Sequence, residues 1–306
     1  MTEVAVVLVT FNRLAMLQDT LDALAMQTRR VDDVYVINNA STDGTTEFLD
    51  NYSGPLRLHH LSMIDNLGGA GGFSIGVEAA YRDGADHLWL MDDDVVPKAD
   101  CLAQLLEQND PVMACLREDR NGQLVERAGL TYDLEHWWTA NPRRDSIEEL
   151  YPNSGSVPGK LSLAFATFEG LFVHRDVVKA VGWPDPRYFI FLDDVDYSLR
   201  IRNAGYQIKL ANRAILRRQL DMVDVTELSW KTGYIYRNFF YIHFTYGNNW
   251  AVRNKPFLLV LAATLVKPFS LKGHKELPII WRALFDACKM TSQPKQRRVE
   301  ASFCND

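Results

Sequence analysis

The 306 residues carry 47% hydrophobic side chains and a net charge of −6, with no repeats or low-complexity stretch, so the chain can bury a full core in one large domain or two small ones. The charge is uneven: from Ala251 onward there are 10 Lys/Arg against 4 Asp/Glu, which leaves a strongly acidic body and excludes nucleic acid as its partner. The four cysteines (Cys101, Cys115, Cys288 and Cys304) show no paired spacing, which argues against a zinc site or a disulfide frame and for reduced thiols inside the cell.

Residues 4–9 form an uninterrupted apolar run directly after Met1-Thr2-Glu3 and predict a buried first strand rather than a signal peptide. Leu14, Leu17, Leu21, Leu24 and Ala25 recur at helical spacing. Residues 34–37 and 56–61 read as second and third strands, residues 72–82 as a helix and residues 88–91 as a fourth strand. This βαβ series predicts an α/β fold with a doubly wound, mostly parallel sheet, whose ligands bind at the carboxyl ends of the strands. Thr10-Phe11-Asn12-Arg13, Asn38-Asn39 and Asp92-Asp93-Asp94 all fall at such ends. Residues 116–160 read as a mixed segment of strands and long loops. Order returns over residues 161–174 and 177–181, and a helix over residues 195–204 is stopped by Gly205.

Three stretches carry chemistry. In the first, an apolar strand ends in three acids. In extended chain Asp92 and Asp94 point one way and Asp93 the other, which offers two carboxylates to one hard cation, Mn²⁺ or Mg²⁺, with positions left for diphosphate oxygens. A solvated acidic turn, or a helix N-cap before Pro97-Lys98, accounts for the same residues. The second stretch, Asn66-Leu67-Gly68-Gly69-Ala70-Gly71-Gly72-Phe73, leads into a helix. It suits close backbone approach by an anion at a helix start, or it is a structural turn. The first turn has no glycine and no Gly-Lys-Ser/Thr follows, which argues against a dinucleotide fingerprint and excludes a P-loop. The third stretch runs from Tyr188 through Phe189 and Phe191 to Asp193-Asp194 at a helix start. One acid serves there as a cap; a carboxylate desolvated by the phenylalanines also suits proton abstraction from a hydroxyl.

In this order and spacing the stretches resemble the family 2 glycosyltransferases with the GT-A fold, over about residues 1–250. Val9-Thr10-Phe11-Asn12-Arg13 looks like their first nucleotide loop, Ile37 to Thr45 like the second, Asp92-Asp93-Asp94 like their metal-binding triplet and Asp193-Asp194 like their base motif. The glycine stretch followed by Trp-Leu-Met-Asp-Asp-Asp is most similar to bacterial galactofuranosyltransferases, with rhamnosyltransferases next. The resemblance implies that Thr10, Phe11, Asn12 and Arg13 hold the nucleotide and Asn39 faces the base. It implies that Asn66, Gly69 and Asp93 line the donor, Asp92 and Asp94 bind Mn²⁺ or Mg²⁺, and Asp194, supported by Asp193, is the base of an inverting transfer. The implied reaction moves galactofuranose from UDP-galactofuranose to a glycan or polyprenyl-linked glycan at the cytoplasmic face of the plasma membrane. Transfer from dTDP-rhamnose is the alternative, and a catalytically weak sugar-nucleotide-binding scaffold is a third reading.

One departure stands out. Where relatives carry a metal-binding His beyond the base, this chain has Arg217-Arg218-Gln219, and Arg217 is the residue expected to meet phosphate there. Trp137 and Trp138 read either as acceptor-stacking or as core. The domain expectation is a GT-A unit over residues 1–250, with a nucleotide half (1–115) and an acceptor half (116–250), then a helical, basic extension over 251–306. In that extension the apolar residues 256–266 are too few to span a bilayer. Followed by Lys267, Lys272 and Lys275, they either lie at an anionic membrane surface or pack on the body. The oligomeric state is left open.

Overall fold

The structure is a computed structural model that describes residues 2–220 and 229–293. Its first half comprises β1 (Val4–Thr10), α1 (Leu14–Ala25), β2 (Asp33–Asn38), α2 (Thr45–Asp50), β3 (Leu58–Ser62), α3 (Gly68–Arg82), β4 (His87–Asp92), β5 (Val95–Pro97), α4 (Cys101–Gln108) and β6 (Val112–Glu118). Then follow β7 (Gly129–Tyr132), β8 (Arg143–Ser146), α5 (Ile147–Leu150), β9 (Leu161–Leu163), β10 (Leu171–His174), α6 (Arg175–Val181), α7 (Asp193–Asn203) and β11 (Ile208–Arg218). Three helices close the described chain: α8 (Lys231–Tyr246), α9 (Trp250–Val266) and α10 (Leu271–Ser292).

The strands form one sheet in the order β3-β2-β1-β4-β10-β6-β11-β5, with β9 on the side of β11. β1, β2, β3 and β4 are mutually parallel, as are β6 and β11, whereas β10 runs antiparallel to both β4 and β6. Side-chain alternation divides the core accordingly. Ala5, Val7 and Val9 of β1 pack with Phe73 and Val77 of α3 on one face. Val6 and Leu8 pack on the other with Leu17, Leu21 and Leu24 of α1 and Leu102 and Leu105 of α4. Both faces are covered, which is why β1 and β2 are buried along their whole length and apolar over residues 4–9 and 34–37.

A third cluster joins Phe240, Tyr241 and Ile242 of α8, Val260 of α9 and Ala283, Leu284 and Ala287 of α10 to Tyr188, Val195 and Leu199 of the α/β body. The C-terminal helices therefore share a core with the segment that carries the second acid pair. The helix expected from residue 72 begins four residues earlier, at Gly68. The Asn66 side chain accepts from the Gly68 amide (2.8 Å) and closes the turn ahead of it, so the glycines make the first helical turn rather than a loop.

Candidate active site

The carboxyl ends of β1 and β4 lie side by side, Val9 opposite Asp92, where the strand order reverses; in α/β sheets this is the crevice that takes ligands. The strand stops at Asp92, and Asp93 and Asp94 form the turn into β5, so pleat alternation does not dictate their directions. Asp93 turns toward the first loop: Thr10 Oγ1 (2.7 Å), the Phe11 amide (3.4 Å) and Arg13 Nη1 (2.9 Å) all donate to its carboxylate. Arg13 Nη1 also reaches Asp94 Oδ2 (3.3 Å). The second loop is tied to the first by Asn12, whose Oδ1 accepts from the Thr42 amide (2.7 Å) and whose amide donates to Ser41 Oγ (2.9 Å).

Asp92 and Asp94 carry the strain of the site. Burial, with Asp94, Glu169 and Asp93 close by, pushes the Asp92 carboxyl well above the usual carboxylate range. Burial and Glu169 raise Asp94 to about 6, although Arg13 and Arg218 oppose them. Asp94 Oδ1 is buried with no hydrogen-bond partner. Two crowded carboxylates and an orphaned oxygen fit one cation. Among the described residues there is no cluster of three or more His, Cys, Asp or Glu side chains able to hold a metal, so Asp92 and Asp94 are the two described carboxylates that would face one there.

Glu169, in the turn just before β10, is a residue that sequence reasoning missed. Burial would raise its carboxyl, but Arg117 and Arg218 outweigh that and hold it below the usual range. Arg117 grips Glu126 with two nitrogens (3.0 Å each) and Glu169 with the third (2.5 Å). The charge of Glu169 is felt at Asp92 and Asp94 on one side and at Asp194 on the other. The available signal was a lone acid, Phe168-Glu169-Gly170, inside an otherwise apolar stretch.

Arg217 does not face the acids. It is exposed on β11, in register with Val96 and Glu118, and its neighbour Arg218 is the one turned inward, as strand alternation requires. Arg218 Nε lies 3.3 Å from Glu169 Oε2 and Nη2 lies 4.0 Å from Asp94 Oδ2. Gln219 pins this strand end to the acid turn, its amide donating to Asp94 O (2.7 Å) and its Nε2 to Met16 O (3.0 Å).

The second acid pair opens α7 without acting as a side-chain cap; the cap residue is Leu192. Burial and the neighbouring Asp194 raise Asp193 to about 8. Burial also raises Asp194, against the pull of Arg143 from β8 and of Arg117. The approach to the pair is strained, with Phe189, Phe191 and Leu192 all at positive φ (63°, 67° and 62°). Buried Asn238 of α8 holds this loop by donating to the carbonyls of Tyr188 (3.1 Å), Ile190 (2.8 Å) and Phe191 (2.8 Å), and Arg237 adds Arg187 (2.8 Å) and Tyr188 (2.7 Å).

The remaining expected residues are placed as follows. Asn39 is buried; its Nδ2 donates to Gly68 O (3.0 Å) and its Oδ1 has no hydrogen-bond partner. A side chain at Gly69 would meet open space. Trp137 and Trp138 are 52% and 67% exposed at the tip of the β7–β8 hairpin, so they are not core.

The mixed, mostly parallel sheet with an acid turn at its reversal point is the GT-A fold. Solved structures share it: Staphylococcus aureus TarS 1-349 in complex with UDP-GlcNAc (TM-score 0.56, 14% identity, 94% of this chain and 81% of that one). So does GalNAc-T7 with UDP, GalNAc and Mn²⁺ (TM-score 0.63, 13% identity, 95% and 57%). Residues 5–165 match the model of glycosyl transferase family 2, and the chain belongs to that family. It is 32% identical over 212 residues to galactofuranosyltransferase GlfT1 of Mycolicibacterium smegmatis, covering 66% of each chain. It is 25% identical over 229 residues to the N-acetylglucosaminyl-diphospho-decaprenol L-rhamnosyltransferase of Mycobacterium tuberculosis, covering 67% of this chain and 73% of that one.

Proposed function

We propose that the protein is an inverting hexosyltransferase that moves galactofuranose from UDP-galactofuranose onto a hydroxyl of a lipid-linked or cell-surface glycan. The observation that carries this reading is the acid turn at the switch point of the sheet, bound to the first loop by Thr10, Phe11 and Arg13 on Asp93 and leaving a buried Asp94 oxygen without a hydrogen-bond partner. We assign the acid turn to the leaving diphosphate and Asp194, at the start of α7, to the acceptor. Thr10, Phe11, Asn12, Arg13 and Asn39 hold the nucleotide, with the unpartnered Asn39 Oδ1 as acceptor for a base N–H. Asn66 and Gly69 line the donor, and Asp93 fixes the loop through Thr10 and Arg13. Asp92 and Asp94 would hold Mn²⁺ or Mg²⁺, which neutralises charge on a diphosphate leaving group.

Asp194 takes the proton of the acceptor hydroxyl as its oxygen displaces the nucleoside diphosphate at the anomeric carbon, and Asp193 supports it. Burial raises the proton affinity of Asp194 toward that task. The exposed Trp137 and Trp138, on the hairpin that brings Arg143 near Asp194, suit stacking on acceptor sugar rings. We read residues 251–306 as an extension of the catalytic body that meets a membrane surface. Phe257, Leu258, Leu261, Leu265, Val266 and Phe269 are exposed together on α9 and the turn after it. Lys275 and Arg282 are exposed on α10, which is joined to α9 by the Trp281 Nε1 bond to Thr264 Oγ1 (3.1 Å). Apolar side chains flanked by cations fit an anionic bilayer; among the described residues no helix is long and apolar enough to cross one.

The decisive experiment offers purified protein UDP-galactofuranose and dTDP-rhamnose with Mn²⁺ and measures nucleoside diphosphate release. Release from UDP-galactofuranose is expected. Release from dTDP-rhamnose alone would reassign the sugar, and the rhamnosyltransferase relative makes that the second reading. Nucleotide binding without release from either would leave a binding scaffold. Asp194→Asn should abolish transfer and leave UDP affinity intact.

A further inference from the structure

We propose that the tip of the β7–β8 hairpin and the start of α9 form one aromatic surface, with Trp137, Trp138 and Trp250 seated in the interface of an anionic bilayer. The inference rests on the membrane reading of α9 above and extends that face to a hairpin of the catalytic body. Trp250 opens α9 and is 79% exposed. It recurs at helical spacing with the exposed Phe257, Leu258, Leu261 and Leu265, so it carries their stripe to the first turn of the helix. That turn is where the hairpin is fastened. Leu134 O accepts from the Asn248 amide (2.9 Å), Glu135 O from Asn249 Nδ2 (2.7 Å) and Thr139 O from Lys255 Nζ.

The tip is rigidly built. From inside, the Asp133 carboxylate accepts from the Glu135 and His136 amides (2.9 and 3.1 Å) and from Thr139 Oγ1 (2.7 Å). From outside, Lys255 is buried to hold it, although burial lowers the proton affinity of that ammonium and only Asp133 opposes the loss. What this anchoring presents to solvent is aromatic. Trp137 and Trp138 meet edge to face with ring centroids 6.2 Å apart, and His136 lies 4.9 Å from Trp138. A tryptophan has an apolar body and one N–H, the combination that favours the boundary between water and hydrocarbon. The charges agree. Arg253, one turn from Trp250, is exposed, as are Lys275 and Arg282. The acids beside the tip are engaged, Asp133 within the turn and Glu135 by Asn248 Nδ2 (3.2 Å). Exposed cations around an aromatic rim select anionic lipid.

Cosedimentation of the full chain with phosphatidylglycerol vesicles tests this. Trp137→Ala with Trp138→Ala should weaken binding by about tenfold, and adding Trp250→Ala should weaken it further, the scale of large apolar side chains leaving an interface. The melting temperature should hold, since all three rings are exposed. A tip pair with wild-type vesicle affinity overturns the proposal and leaves these tryptophans to the acceptor's sugar rings. A tip pair that keeps that affinity but changes the oligomeric state of lipid-free protein overturns it in favour of a second copy. If the alanine pair lowers the melting temperature, Trp137→Phe with Trp138→Phe decides. Vesicles with brominated acyl chains should quench its fluorescence less than the wild type's by about a third or more, and unchanged quenching overturns the proposal. A wild type that binds no phosphatidylglycerol vesicles removes the membrane reading of α9 itself, and this inference falls with it.

Discussion

The carbonyl of Phe189 occupies the space that a side chain on Gly68 would need, its carbon 2.7 Å from where a Cβ would stand. The same carbonyl accepts from the Ala70 amide (3.2 Å), and Gly68 O accepts from Asn39 Nδ2 (3.0 Å). The first turn of α3, on the nucleotide side, and the strained loop before Asp193 are thus a single packed unit. Gly68, at φ +70°, is the glycine that this unit requires.

Gly68→Ala should therefore cost about 3 kcal/mol, from left-handed strain and overlap together, and Gly69→Ala less than about 1 kcal/mol. Urea denaturation of the two variants gives the comparison. Equal midpoints would mean that the contact with Phe189 relaxes freely.

Asn238→Ala removes the donor to three loop carbonyls and should destabilise the fold by about 3 kcal/mol. The turnover number should fall further than this stability loss explains, because Phe189, Phe191 and Leu192 keep their positive φ only while held. Turnover measured well below the melting transition separates the two effects. A variant that melts early but turns over normally would remove Asn238 from any role in positioning.

The pH dependence of stability follows from Asp193. Its carboxyl is raised to about 8 in the folded protein against about 4 unfolded. The folded state holds the extra proton, so this contribution is full below pH 4 and is lost as pH rises through 8. Asp193→Asn should accordingly gain stability on the wild type between pH 5 and pH 9 in denaturant titrations. A constant difference across that range would count against a neutral Asp193.

Crowding at the acid turn makes a prediction without substrate. At pH 8, Asp92→Asn should raise the melting temperature of metal-free protein by about 2 °C, the scale of 1 kcal/mol of relieved repulsion in a chain this long. The same change should abolish the further rise that Mn²⁺ gives the wild type. Scanning calorimetry with EDTA and with Mn²⁺ reads both effects. A Mn²⁺ shift that survives in Asp92→Asn would place the ion elsewhere.

Leu265→Asp with Phe269→Asp should end binding to phosphatidylglycerol vesicles in cosedimentation and leave the melting temperature unchanged, since the two side chains are 66% and 90% exposed. Wild-type protein should bind neutral phosphatidylcholine vesicles more weakly and lose affinity for anionic ones with added salt. Equal binding to both lipids would argue that the face covers something other than an anionic surface.

β1, β2 and β4 were legible because they are buried on both faces and so carry continuous apolar runs, and the α1 stripe at Leu17, Leu21 and Leu24 was legible because it packs on that core. The antiparallel direction of β10 was not legible, since an apolar run carries no direction. The acid turn was found from its composition, but its geometry was not: a period-two argument stops where the strand stops, at Asp92. One-residue register was likewise beyond reach on β11, where Arg217 was expected and Arg218 is turned inward. Glu169 and Asn238 act on the site through partners about fifty residues away, which sequence spacing does not reveal, and the lone acid at Glu169 in an apolar stretch was the one local sign.

Asn238 and the exposed stripe of α9 hang on the same helical cluster, which has a practical consequence for dissecting this chain. Cutting the chain after β11 to obtain a minimal catalytic core would strip the donors from the Tyr188, Ile190 and Phe191 carbonyls along with the apolar face. An inactive truncation would then say nothing about where the protein works. Substitutions on the exposed face of α9 leave the Asn238 donors in place and so test that face by itself.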